Sequence, residues 1–92
     1  MNYEIRLTEK SEKDLRAISK SGDKVSLKKL LSLIEELKNH PRRGSGKPEK
    51  LKFIDGEVWS RRINKKDRLI YEIYDKDVLV LVISALGHYQ DK

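Results

Sequence analysis

The chain has 92 residues and a mass of 10.8 kDa; 37% of it is hydrophobic, 39% is charged, and it carries a net charge of +6 at pH 7. One core is all that this length builds, so a large multidomain enzyme is excluded, and with no cysteine and only two histidines so are a disulfide framework, a thiol nucleophile and a cysteine-based zinc site. No stretch approaches the ~20 apolar residues of a membrane span, and Met1 to Arg6 lacks a basic stretch followed by an apolar one, so a soluble cytoplasmic domain over 1–92 with no membrane association is expected.

Tyr3, Ile5 and Leu7 alternate with Glu4 and Arg6, the period of a half-buried strand. Thr8 or Ser11 can cap a first helix whose inward face holds Leu15 and Ile18 and which stops at Ser21-Gly22. Asp23 can cap a second helix, where Leu27, Leu30, Leu31, Ile34 and Leu37 recur at helical spacing until Asn39-His40-Pro41. His40 suits a role at the end of that helix, facing its dipole. Pro41 to Lys50 is too rich in Gly and Pro to be regular. Leu51 to Ile54 then reads as a strand, Asp55-Gly56 as a hairpin turn, and Val58 to Ile63 as the partner strand. After a turn at Asn64 to Asp67 come the strand Arg68 to Tyr74 and, past Asp75-Lys76-Asp77, the aliphatic run Val78 to Ile83, expected to be central and buried on both faces. These elements predict an α+β domain: an N-terminal strand and a two-helix hairpin packed on an antiparallel β-sheet.

The charge is concentrated. Between Lys38 and Arg68 eleven Lys or Arg face four acids, a window of +7, while the rest of the chain sums to -1. Such a stripe is the footprint of a surface that meets phosphates or an acidic protein, with a merely solvated lysine-rich face as the plain alternative. Period 2 separates the strand faces: Leu69, Tyr71 and Ile73 oppose Arg68, Ile70, Glu72 and Tyr74, and Val58, Ser60 and Arg62 oppose Trp59, Arg61 and Ile63. Arg62 and Arg68 are therefore expected to share the open face, with the helices over the other.

Gly44-Ser45-Gly46-Lys47 brings a phosphate cradle to mind, but Pro48 follows the lysine and a helix precedes the glycines, so it is not a P-loop. Glu49 is the only acid between Glu36 and Asp55 and sits among Arg42, Arg43, Lys47, Lys50 and Lys52, a setting that suits a proton acceptor as well as plain charge neutralisation. His88, after the last strand and Gly87, is the natural proton donor near neutral pH. A carboxylate, a histidine and several cations make a parts list for cutting RNA without metal or cofactor: a base for the ribose 2′-OH, an acid for the departing 5′ oxygen, and charge for the phosphoryl oxygens. Tyr89 beside the histidine can stack on an unpaired base or fill the core.

Gly44-Ser45-Gly46-Lys47-Pro48-Glu49-Lys50-Leu51-Lys52, Trp59-Ser60-Arg61-Arg62-Ile63, Arg68-Leu69-Ile70-Tyr71 and His88-Tyr89 together resemble the YoeB/Txe toxins, a branch of the RelE superfamily. The resemblance runs from about Pro41 to Tyr89 and implies a RelE-like fold and an endoribonuclease that enters the ribosomal A site and cuts mRNA. It implies Glu49 as general base, His88 as general acid and Arg68 as transition-state stabiliser, with Lys52 and Arg62 assisting at phosphate and Tyr89 positioning substrate. Lys47 and Arg61 join the candidate phosphate contacts. No cofactor is implied. The partners implied are mRNA and the ribosome, a co-expressed antitoxin similar to the YefM/Phd group whose acidic segment covers the site, and operator DNA through the toxin-antitoxin assembly; the oligomeric state stays open between monomer and homodimer. Family chains end at His-Tyr, whereas Gln90, Asp91 and Lys92 follow here, so a terminal carboxylate is displaced from the site. The competing expectation is a non-catalytic basic module of the same fold, either RNA-binding or similar to the ParE toxins that poison DNA gyrase.

Overall fold

The computed structural model describes residues 2–87. Strand β1 (Glu4–Leu7) leads to Thr8, whose hydroxyl accepts from the Ser11 N–H at 3.1 Å and caps helix α1 (Glu9–Lys20), with Glu9 and Glu12 at its positive end. The chain turns at Gly22, whose φ of +84° is one that a side chain resists. Asp23 then caps helix α2 (Lys24–Leu37), accepting from the Ser26 N–H at 3.0 Å. Leu30, Leu33 and Leu37 on α2 are fully buried, each worth about 2 kcal/mol over an exposed position. Leu31, expected on this stripe, is 50% exposed: it lies about 100° round the axis from Leu30, and the true stripe runs through Leu33 instead.

Four more strands follow: β2 (Glu49–Lys50), β3 (Val58–Arg62), β4 (Arg68–Tyr74) and β5 (Leu79–Ser84). The sheet order is β1-β5-β4-β3-β2. The expected antiparallel meander is there from β2 to β5, but β1 pairs with β5 in parallel, so the whole sheet is mixed. The expected strand over Leu51 to Ile54 does not form. Pairing with β3 starts earlier, at Glu49 and Lys50, and after the Leu51 N–H bonds to the Val58 carbonyl at 2.9 Å the chain leaves the ladder. Gly56, at φ +89°, closes that connection.

The last strand begins one residue later than expected. Val78 adopts a left-handed φ of 49° and its N–H closes a turn onto the Asp75 carbonyl at 3.1 Å. Within β5 only Val80 and Val82 are buried, while Leu79, Leu81 and Ile83 are half-buried, so this strand has one core face rather than two. The helices cover the face carrying Leu69, Tyr71, Ile73, Val80 and Val82. The other face holds a small cluster of Leu51, Val58 and Ile70, with Ile54 and Ile83 against it. Beyond that plug, the same face turns polar at Arg62 and Arg68.

Candidate active site on the open sheet face

The register assembles the site. Glu49 pairs with Ser60 and Ser60 with Ile70, while Arg62 stands directly opposite Arg68 one step further along. In an antiparallel sheet directly paired residues share a face, so Glu49, Arg62 and Arg68 all stand on the face the helices leave open. Two strand spacings of about 4.8 Å and two residues of about 3.4 Å put the Cα atoms of Glu49 and Arg68 about 12 Å apart, within joint reach of a single phosphodiester. Glu49 and Arg62 are exposed, and among the described residues neither side chain makes a hydrogen bond or ion pair. Arg68 is half-buried, its Nη1 donating to the carbonyls of Asn64 at 3.1 Å and Asp67 at 3.2 Å. Lys52 is exposed just beyond β2.

Arg61 does not join them. It lies on the helix side of β3 and is fully buried. Its Nε donates to the Tyr71 hydroxyl at 3.1 Å, Nη1 to Glu36 at 2.8 Å and the Ser45 carbonyl at 3.4 Å, and Nη2 to the carbonyls of His40 at 2.6 Å and Arg43 at 2.8 Å. A guanidinium this fully engaged has no face left for a phosphate, so the expectation for Arg61 is corrected: it is the internal anchor of the loop between α2 and β2. The Tyr71 hydroxyl adds a bond to the Pro41 carbonyl at 2.7 Å, and burial pushes this phenol up against the pull of Arg61. Partial burial works against the Glu36 carboxylate, yet the Ser45 donors and Arg61 hold it below the usual range.

The anchored loop delivers the basic side chains. Gly46, at φ +79°, offers its carbonyl to the Arg62 N–H at 2.6 Å, and Lys47 follows in a left-handed φ of 52°, exposed. Lys47, Arg62, Lys65 and Lys29 line one open groove with Gly46, Ile63 and Asn64. Lys29 was not singled out from sequence; its only signal is its place on the polar side of α2. Among the described residues no group of three His, Cys, Asp or Glu gathers to hold a metal ion.

On the other flank the chain after β5 returns to Arg68, whose N–H donates to the Gly87 carbonyl at 3.2 Å. His88 and Tyr89, together with the Gln90-Asp91-Lys92 extension, lie outside the described residues. Two acids that sequence reading passed over, Asp14 and Asp67, are buried and bond to the backbone of this returning segment. A carboxylate and two guanidinium groups on one open face, beside a basic groove, suit proton transfer at an anionic phosphodiester.

Residues 7–89 match the family model described as YoeB-like toxin of bacterial type II toxin-antitoxin system. The chain is 46% identical to Toxin YoeB of Synechocystis sp. over 69 residues, 75% of this chain and 78% of that one. Among solved structures it resembles the YoeB/ParE toxin from Agrobacterium tumefaciens, with a TM-score of 0.85 and 31% identity over 94% of this chain and 99% of that one. The YoeB dimer from Staphylococcus aureus matches with a TM-score of 0.80 and 31% identity, over 97% of this chain and 100% of its counterpart. The heterotetrameric YoeB-YefM complex from the same organism matches with a TM-score of 0.77 and 30% identity, over the same shares. The chain belongs to the YoeB-like toxins of bacterial type II toxin-antitoxin systems.

Proposed function

We propose that this toxin is a ribosome-dependent endoribonuclease that cuts mRNA in the A site by metal-free acid and base catalysis. The observation that carries the reading is the common face of Glu49, Arg62 and Arg68, with the chain brought back to Arg68 at Gly87, one residue before His88. Glu49 accepts the proton of a ribose 2′-OH, whose oxygen attacks the adjacent phosphorus. The P–O5′ bond breaks, His88 protonates the departing oxygen, and the products are a 2′,3′-cyclic phosphate and a free 5′-OH. Arg68, Arg62 and Lys52 hold the charge that grows on the phosphoryl oxygens, Lys47 and the basic groove hold the flanking strand, and Tyr89 stacks on a base.

Neutralisation follows from the same electrostatics: an acidic antitoxin segment similar to YefM covers the open face, a role supported by the heterotetrameric complex of the Staphylococcus aureus relative. The dimer of that relative supports a homodimer, and the antitoxin carries the assembly to operator DNA. Among the described residues no helix is long and apolar enough to cross a membrane; the cytoplasm, where translating ribosomes are, is the proposed location.

Primer extension on a defined mRNA in a translating cell-free reaction tests this, with wild type, Glu49→Gln and His88→Gln, and with ribosome-free RNA as control. Cuts at fixed positions within ribosome-occupied codons, lost in both variants, are expected. Translation blocked with intact mRNA would instead favour binding without catalysis, as in a ParE-like gyrase inhibitor or a plain RNA-binding module.

A further inference from the structure

We infer that Asp14 and Asp67 are positioning residues, a two-carboxylate clamp that fixes the segment Ala85–Gly87, which precedes His88 in sequence. The inference rests on the nuclease reading above.

β5 ends at Ser84, so the next amides need acceptors outside its ladder. They find them on side chains from two remote elements. Asp14, on α1, accepts from the Ala85 N–H at 2.9 Å and the Leu86 N–H at 3.2 Å with the same oxygen, Oδ2, that meets Lys10 Nζ at 2.6 Å. Asp67, in the turn between β3 and β4, accepts from the Gly87 N–H at 3.0 Å through Oδ1 and from Asn64 Nδ2 at 3.0 Å through Oδ2. Asn64 in turn reaches Ser26 on α2 at 2.8 Å. The two residues are only 7% and 6% exposed, and a buried carboxylate is retained only where its oxygens are bonded.

Residues 67 and 68 grip Gly87 at both ends. Its N–H bonds to Asp67 Oδ1 and its carbonyl to the Arg68 N–H, while the Asp67 carbonyl accepts from Arg68 Nη1. One turn therefore holds both the Arg68 guanidinium and Gly87, the last residue before His88 in sequence. An acid that must meet a 5′ oxygen within hydrogen-bond distance needs such control, since an error of about 1 Å costs on the order of a hundredfold in rate.

The test uses the purified full-length chain on programmed ribosomes, with kcat and KM for cleavage, hydrogen exchange at the amides of 85–87, and thermal unfolding. Asp67→Ala and Asp14→Leu are expected to speed exchange at those amides and to lower kcat about tenfold to a hundredfold with KM within about twofold. Asp14→Asn keeps an accepting oxygen and should hold kcat within about threefold of wild type. Ile73→Val, a core change on β4 remote from the clamp, supplies a control that loses stability without touching kcat. If Asp67→Ala does not fold, Asp14→Leu carries the test alone, through the same pair of measurements. Faster exchange at 85–87 with kcat unchanged would overturn the clamp, as would a fall in kcat no larger than that of Ile73→Val at equal loss of Tm. A wild type that leaves ribosome-bound mRNA intact would instead bring down the nuclease reading, and the clamp's catalytic meaning with it.

Discussion

Two adjacent arginines on β3 have opposite fates, and the difference is measurable. Arg62 is exposed on the open face, whereas Arg61 is buried among Tyr71, Glu36 and three loop carbonyls. Arg61→Lys replaces a planar fork with a single ammonium that cannot reach acceptors on every side, so it should cost about 2–3 kcal/mol in urea unfolding. Arg62→Ala should stay within about 0.5 kcal/mol of wild type in the same experiment, yet lose cleavage. Period 2 along Val58 to Ile63 was enough to place these two side chains on opposite faces, whereas the pairing of Arg62 with Arg68 is a matter of strand register that no alternation specifies. What it could not convey is that the α2–β2 loop folds over the Arg61 side and turns its carbonyls inward. Asp14 and Asp67 were equally silent, because their partners are backbone amides 71 and 20 residues away, and backbone amides carry no sequence signature.

At the scale of elements, the loop between α2 and β2 is held in shape by its glycines. An added Cβ at Gly46 would sit 2.9 Å from the Arg62 carbonyl at a φ of +79°, so Gly46→Ala is strained by both conformation and contact. It should cost about 1–3 kcal/mol, and because Lys47 and Glu49 follow directly, cleavage should fall further than a control of equal Tm. Long elements were legible: α2 ends where Asn39-His40-Pro41 said it would, and β4 has the bounds its alternation predicted, Arg68 to Tyr74. Short or context-dependent ones were not. The two residues of β2 are too few to show a period, and nothing local says that β1 will lie parallel to β5. The Leu31 and Leu33 exchange on α2 has the same origin, since a helix with apolar residues over a wide arc does not say which edge the sheet will cover.

Across the whole molecule, two charge effects set how the protein responds to its solvent. Asp14 is opposed by burial but held below its ordinary value of 3.8 by the Ala85 and Leu86 amides and Lys10, and Glu36 lies below 4.5 for the parallel reasons already given. A carboxyl lowered in the folded state stabilises it fully above the unfolded value and ceases to as pH falls through the folded one. Tm should therefore be flat from about pH 5 to 8 and drop below about pH 4, and Asp14→Asn should flatten part of that drop. The second effect is the basic stripe. Of its +7, one charge is spent internally, where Arg61 meets Glu36, and another is offset where Arg42 meets Asp75 at 2.8 Å. The remaining excess includes Lys47, Arg62 and Lys65, gathered with Lys29 around a single groove, so binding to ribosome-held mRNA should weaken steeply as salt rises. Each phosphate contact on a single strand contributes about -0.7 to the slope of log K against log salt. Lys47→Gln with Lys65→Gln should then make the slope shallower by about 1.4 while leaving kcat at saturating ribosome close to wild type. An unchanged slope would mean that RNA does not follow this groove, and that the stripe serves the acidic antitoxin alone.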